Sequence, residues 1–456
     1  MPTVDLRHFL GLLKKHGELL SVEDEVDLRF ELSEFLRQAD GAVGPALLFE
    51  RVKGHSMKIA GNLVGTEKRL ALAFGLTNEE KLLEIYRKRR GTAGKPRRVK
   101  DGPVKEVVLK NSKRVDLSAL PIPVYHEGDA GPYITCGILT ARDPQTGARS
   151  MGLHRLQVKA GRRLGIHLAN PPISRFVAAA EQANRPLDVA ISLGVHPILL
   201  LAAIVSSSAE DKVAIASSLL GASLALTKCE TSDVDAPAHA EVVIEGRVLP
   251  GVREPEGPFG ETSGYYFADD SHVIEVTAIT HRKDPILQAL HPTSQEVALL
   301  CGPAGAAEIA QMLHEKGFAV ADLALSAASG RTHAVLSLKK RHDADARQVL
   351  HFLLSGVPYL KHAVVVDEDV DVRNARDVEW AIATRVQGDE DLVVIADLRA
   401  RSIDPSKKDG MLTAKVGIDA TVPICQRTRF KRIGVPSEVK HNVARRWAAI
   451  VNAQKR

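Results

Sequence analysis

Glu256 and Glu261 bracket Gly257-Pro258-Phe259-Gly260, and Gly264-Tyr265-Tyr266 follows close behind. Proline fixes φ and glycine permits bends closed to other residues, so the spacing predicts a tight, rigid corner. Such a corner can aim both carboxylates into one cavity. Two acids held close do not both ionise cheaply; one keeps its proton near neutral pH and becomes a general acid. The alternative is a charged surface turn. Arg155 ends Ser150-Met151-Gly152-Leu153-His154-Arg155, inside a predicted strand. A guanidinium in an apolar strand needs a partner, and Glu256 or Glu261 can supply it; the same group holds a substrate carboxylate well. Unpaired, Arg155 would point to solvent. Lys415, in Lys415-Val416-Gly417-Ile418-Asp419, is either a phosphate ligand or an ordinary strand-edge lysine. His154 and His167 are metal-ligand types, but with 17 histidines scattered through the chain neither signals a metal by itself. No HExxH, P-loop or dinucleotide fingerprint occurs, and Gly302-Pro303-Ala304-Gly305 lacks the lysine and hydroxyl of a phosphate loop.

The elements that must position these residues belong to a chain of 456 residues, enough for two or three domains. With 45% apolar and 26% charged residues the composition is that of a soluble globular protein. No apolar run is long enough to span a bilayer, and the start lacks the basic and apolar regions of a signal peptide, so a cytoplasmic location is expected. Cys136, Cys229, Cys301 and Cys425 lie far apart, which argues against a zinc finger and against a disulfide framework. The net charge of +5 is modest. Much of the basic excess lies between Arg87 and Lys100, read either as a polyanion patch or, preferably, as a solvated interdomain segment. Aromatics make up only 4% of the chain, few for stacking on single-stranded nucleic acid.

Asp5 is placed to cap a first helix whose Leu6, Phe9, Leu10 and Leu13 share one face, with Gly17 as its stop. A strand at 19–22 and a helix at 30–38 follow, and 87–103 reads as a linker or exposed loop. Short strands then dominate: 106–109, 133–140, 153–158, 188–193, 240–244 and 271–280, with a helix at 175–183. That pattern predicts a barrel or sandwich. Beyond residue 300, helices at 304–317, 344–354 and 375–387 alternate with apolar or strand segments at 318–326, 332–339, 362–367 and 391–397, a layered domain with its own core. The tail from Glu438 to Lys455 is helical and basic.

Together, SMGLHR at 150–155, KCETSDVDAPAHAEVVIEG at 228–246, EGPFGE-x-x-GYY at 256–266 and AKVGIDAT at 414–421 resemble the UbiD-like decarboxylases, in the same order over essentially the whole chain. The resemblance implies an α+β multidomain fold: an N-terminal α/β portion (1–105), a split β-barrel holding a flavin (106–295), a C-terminal α/β oligomerisation domain (300–437) and a terminal helix (438–456). It implies reversible, non-oxidative decarboxylation of an aromatic, heteroaromatic or α,β-unsaturated acid with prenylated FMN, supplied by a flavin prenyltransferase. Assembly into a homodimer or larger homo-oligomer is expected, with no nucleic-acid or membrane partner. The family's acid–arginine–acid set falls on Glu256, Arg155 and Glu261, with Glu261 as proton donor. Its cofactor-contacting strand falls on Leu153, His154 and Arg155, and its phosphate-contacting lysine on Lys415. The chemistry is consistent: loss of CO2 from an sp2 carbon leaves electrons that no side chain in this set can delocalise, so a cofactor must accept them.

The chain also departs from the family. Ser150 and Lys212 stand where many members have the Asn and Glu that bind a divalent metal beside the flavin phosphate; the third ligand position falls near 167–171. Lys212 is expected to reach the phosphate directly, a fixed cation replacing a bound one, with any divalent metal or potassium left open. The stretch from Leu290 to Ala304 resembles the substrate-facing segment of furan-dicarboxylate decarboxylases, with Glu296 and Ala304 where a His and an Arg are expected. That favours a monocarboxylic substrate, Arg331 being the candidate for any polar group on it. Two other functions compete: a flavin-dependent reductase on the same barrel, and a non-catalytic polyanion-binding protein using 87–100.

Overall fold

The computed structural model describes residues 4–454 except 42, 93, 111–113, 169–170, 206–210 and 327–329. Asp5 caps α1 (Leu6–Lys15) by accepting the His8 N–H at 2.8 Å. The predicted apolar face is buried, and Gly17 ends the helix at φ +70°. Next come β1 (Leu19–Val26), α2 (Glu31–Gln38), β2 (Ala46–Val52), β3 (Lys58–Gly61), α3 (Glu67–Ala73), α4 (Leu82–Arg90) and β4 (Arg97–Arg98). β1 runs parallel to β2, and β3 antiparallel to it. Arg7 fastens α1 to the next portion of the chain through two 2.8 Å bonds to the fully buried Glu241 carboxylate.

Residues 87–103 are only in part the expected linker or exposed loop. The first basic residues complete the last turn of α4, and Arg97–Arg98 form β4. The reason is that basic heads in the run have fixed partners: Arg89 donates to the Leu219 carbonyl at 2.9 Å and Arg98 to the Asp235 carboxylate at 2.8 Å. Those partners lie 130 and 137 positions away in sequence, beyond the reach of any local pattern.

The middle of the chain forms β5 (Val107–Leu109), β6 (Tyr133–Arg142), β7 (Arg149–Val158), β8 (Arg163–Ile166), α5 (Ile173–Gln182), β9 (Leu187–Leu193), α6 (Pro197–Ile204), α7 (Lys212–Leu220), β10 (Ala225–Lys228), β11 (Asp235–Pro237), β12 (Val242–Gly260), β13 (Tyr266–His281) and β14 (Ile286–Ala289). Strand order is β12-β9-β6-β7-β8-β13, and β13 pairs back onto β12 from Val242↔His281 to Gly260↔Tyr266. Six strands thereby close into a barrel, which removes the open edges a sheet would otherwise expose. Leu139, Leu156, Ile166, Ile191, Ile244 and Ile274, one from each barrel strand, pack in one cluster. α6 and α7 cover β7 and share a second cluster with Ile138 and Met151. β14 returns to pair with β3, tying the barrel's end to the first sheet.

The C-terminal portion opens with α8 (Gln295–Glu315), capped by Ser294. It starts nine residues before the predicted 304 because Gly302-Pro303 is accommodated inside the helix rather than forming a turn. β15 (Val320–Leu325), β16 (His333–Leu338), α9 (Ala344–Gly356), β17 (His362–Val366), α10 (Ala375–Arg385), β18 (Leu392–Arg399) and β19 (Leu412–Ala420) follow, and α11 (Ser437–Gln454) ends the described chain. The sheet order is β15-β16-β17-β19-β18. Alternation along β17 splits its side chains: Val365 packs with Leu350 and Leu353 of α9, while Val364 and Val366 pack with Val378 and Ala381 of α10. Among the described residues, no helix is long and apolar enough to cross a membrane.

Candidate active site

Arg155, on β7, gathers both predicted acids. Its Nη2 donates to Glu256 Oε2 at 2.8 Å and its Nε to Glu256 Oε1 at 3.2 Å, a bidentate pair, while its Nη1 donates to Glu261 Oε1. Glu256 is fully buried and Glu261 is 7% exposed. The guanidinium also lies 5.5 Å from the Phe259 ring centre and 5.2 Å from that of Phe267. Charge, fork geometry and aromatic faces suit arginine here and would not suit lysine.

The route by which the acids meet differs from the predicted corner. Glu256 lies within β12, opposite Asp269 of β13, and the turn comes later, where Glu261 N–H donates to the Tyr265 carbonyl at 2.9 Å. Residues five apart in a regular strand face opposite sides. A bulge between Glu256 and Phe259 resets that alternation, so both carboxylates reach one guanidinium. Gly257 makes the bulge possible: it sits at φ +99°, and a Cβ there would lie 2.5 Å from the Phe267 carbonyl oxygen. Asp129, which the sequence reading missed, pins the same segment by accepting the Gly260 N–H at 2.8 Å and the His126 N–H at 2.9 Å. Nothing in its local sequence marks it.

Tyr133 packs its ring 4.3 Å from that of Phe259, and burial, then the Glu256 charge, push its phenol well above the ordinary range. His167 stands edge-on to Phe267 with ring centres 5.0 Å apart, and burial, then Arg155, push its imidazole down. Its Nε2 lies 3.4 Å from the Ser402 hydroxyl, so the C-terminal portion closes over this side of the site.

On the same strand as Arg155, burial and then the Lys212 charge hold His154 at about 4, so the imidazole is neutral near pH 7. It folds back over Gly152, where a Cβ would lie 2.6 Å from its Nε2. Leu153 is half-buried against the α6–α7 cluster. Ser150 is buried, and its hydroxyl has no hydrogen-bond partner among the described residues. Lys212 opens α7 with its ammonium on the Ala203 carbonyl at 3.0 Å, and burial lowers it to about 8. Arg155, Glu256, Glu261 and His167 thus form one group, with His154 and Lys212 close to it.

Lys415 stands apart. It lies on β19, 3% exposed, with its ammonium 3.2 Å from the Val357 carbonyl oxygen and 3.5 Å from that of Pro358. No described contact joins it to Arg155. Among the described residues there is no group of three His, Cys, Asp or Glu side chains able to hold a metal, and positions 169–170 of the expected third ligand segment lie outside them.

Glu296 and Ala304 are both buried on α8. Glu296 is buried, accepts the Val64 N–H at 3.0 Å, and is pushed up to about 7 by burial. Ala304 packs in the same cluster as Leu300. Cys301, Gly305 and Glu308 of the same helix lie toward Tyr359.

Comparison with known proteins agrees with this architecture. Residues 10–89, 97–295 and 298–420 match, in order, the N-terminal, Rift-related and C-terminal domains of the 3-octaprenyl-4-hydroxybenzoate carboxy-lyase family. The chain is 33% identical to the anhydromevalonate phosphate decarboxylase of Methanothermobacter thermautotrophicus over 434 residues, 94% of this chain and 99% of that one. It superposes on the UbiD-class enzyme HmfF of Pelotomaculum thermopropionicum in complex with FMN with a TM-score of 0.89 at 42% identity, covering 96% of this chain and 98% of that one. An evolved dimeric form of HmfF in complex with prFMN gives a TM-score of 0.86 at 40% identity, with the same coverage. A closed six-stranded barrel between two α/β portions, all three family domains in order and relatives alike over nearly their full length make this chain a member of the UbiD family of carboxy-lyases.

Proposed function

We propose that this carboxy-lyase reversibly decarboxylates an α,β-unsaturated, aromatic or heteroaromatic acid with prenylated FMN, Glu261 being the proton donor. The observation that carries the reading is the buried Arg155 guanidinium engaging both carboxylates at once. The HmfF complexes with FMN and prFMN and the anhydromevalonate phosphate decarboxylase lend it support.

The residues present fit the cofactor. The Ser150 hydroxyl, unpartnered among the described residues, and the Lys212 ammonium, bonded there to one carbonyl, suit a phosphate; neutral His154 over Gly152 and Arg155 beside two aromatic rings suit a flat conjugated system. When bound, the prenylated flavin supplies the electron sink that the chain lacks. Arg155 holds the acid pair through bonds to both carboxylates. Glu256, bidentate and sealed from water, keeps the guanidinium oriented. Glu261 bonds through a single oxygen to Arg155, its other oxygen 3.2 Å from the Thr262 N–H, so it is the acid free to turn. It gives a proton to the carbon that has lost its carboxyl group and takes it back in the reverse direction. Phe259 and Phe267 exclude water from the exchange. Lys415 reaches a phosphate only by leaving its carbonyl partners. Exposed Val439, Val443, Trp447 and Ile450 at helical spacing on α11 favour assembly into a dimer or larger oligomer.

Lys212 acts as the fixed cation. Holoenzyme prepared without manganese and treated with chelator is expected to retain its flavin and its activity; loss of both contradicts this role. The ammonium falls from its ordinary 10.5 to about 8 on burial. FMN retention by flavin-free protein should therefore weaken as pH rises through about 8, and Lys212→Gln should bind weakly at every pH without that step. Between about 8 and 10.5 the unfolded chain holds more protons than the folded one, so the stability of the flavin-free protein rises with pH there. Titration of FMN fluorescence and denaturant midpoints at several pH values reads both effects.

A further inference from the structure

A second pair of cations adjoins Glu261. Gly330 packs so closely on the next residue that a Cβ there would lie 2.9 Å from the Thr262 carbonyl oxygen. Arg401 donates to the Gly330 carbonyl at 2.8 Å, and Arg331 follows Gly330 with its guanidinium 5.2 Å from the Tyr359 ring centre. Tyr359 in turn lies against α8, where a Cβ on Gly305 would stand 3.2 Å from its hydroxyl. Neither arginine forms an ion pair with an acid among the described residues; their partners are a carbonyl and an aromatic face. Arg331 moreover sits at φ +71°, where residues with a side chain are rare and strained. Burial holds Arg401 below its ordinary value, Arg331 adds to the lowering, and Glu261 is the leading opposing charge.

Two guanidiniums kept together, half-buried and with no carboxylate bonded to either among the described residues, are costly unless an anion completes them. We infer that Arg331 and Arg401 bind an oxyanion on the substrate, remote from the carboxyl group that leaves, so the enzyme acts on unsaturated acids bearing a second carboxylate or a phosphate. An oxyanion here could belong to the substrate or to the flavin phosphate. Position favours the substrate: the pair adjoins Glu261, which must reach the reacting carbon, whereas Lys212 and Ser150 are the groups suited to the cofactor's phosphate. This replaces the monocarboxylic acid expected from Glu296 and Ala304. Only the assignment of the anion to a substrate rests on the decarboxylase reading.

The test compares benzoate with terephthalate, which differ by one carboxylate, as ligands of the holoenzyme in calorimetric titration. Terephthalate is expected to bind about tenfold to a hundredfold tighter, the worth of one charged, forked hydrogen-bonded contact. Arg331→Gln should bring that ratio close to one with the flavin-to-protein ratio unchanged, and Arg331→Lys should keep part of the preference. Equal affinities in the wild type overturn the inference. So does loss of flavin from Arg331→Gln or Arg401→Gln with the preference intact, which would assign the pair to the cofactor's phosphate. If Arg401→Gln fails to fold, the two Arg331 variants decide. If no preparation carries prenylated flavin, the decarboxylase reading falls, while the terephthalate-to-benzoate ratio still reports on the subsite.

Discussion

Glu261→Gln is expected to lower turnover by at least about 10³-fold, within the range set by loss of a positioned general acid. Glutamine keeps the size of the side chain, and its amide oxygen still accepts from Arg155 Nη1, so the fold and the bound flavin should survive. What it lacks is an acidic proton to deliver. Two readouts separate the roles: CO2 release with a decarboxylated acid, and deuterium uptake from heavy water into the product, which needs only the reversible proton step. Both should vanish together while the flavin spectrum stays. Turnover within about tenfold of the wild type would remove Glu261 as donor. Because Glu256 is fully buried and bidentate on Arg155, Glu256→Gln should instead disturb the guanidinium's orientation.

Arg155→Leu carries the second large effect, on stability as well as activity. It strips two buried carboxylates of their cation, and breaking a buried ion pair from one side costs about 3–5 kcal/mol. The denaturant midpoint should fall accordingly, and activity should be lost. Removing the stranded charge as well is the informative control. Arg155→Leu combined with Glu256→Gln should recover part of the stability, since an amide tolerates the apolar site better than an unpaired carboxylate. Recovery of stability without recovery of activity would separate the two roles of the triad. An Arg155→Leu protein as stable as the wild type would contradict the burial of the pair.

Much of this arrangement was legible beforehand, and the residues that misled did so for physical reasons. The α1 cap, its apolar face and its glycine stop are local features, and each stands where the periodicity puts it. The local pattern offered the acid–arginine–acid set only as one of two readings, and the resemblance to the UbiD-like decarboxylases singled it out. Its geometry was not legible, because the bulge that turns Glu256 and Glu261 to one side depends on pairing with β13. α6 escaped detection because Pro-Ile-Leu-Leu-Leu-Ala-Ala-Ile is apolar on all sides and shows no 3.6-residue period. The basic run misled because Arg89 and Arg98 find their partners far along the chain. Arg401 and Asp129 carry no local signature at all; tertiary contact alone brings them to the site.

The most direct test is a crystal structure of the protein co-expressed with a flavin prenyltransferase. The expected result is a prenylated isoalloxazine whose modified edge faces Arg155, Glu256 and Glu261, with its phosphate within reach of Lys212. A flavin bound elsewhere, or Arg155 turned away from both glutamates around a bound flavin, would contradict it.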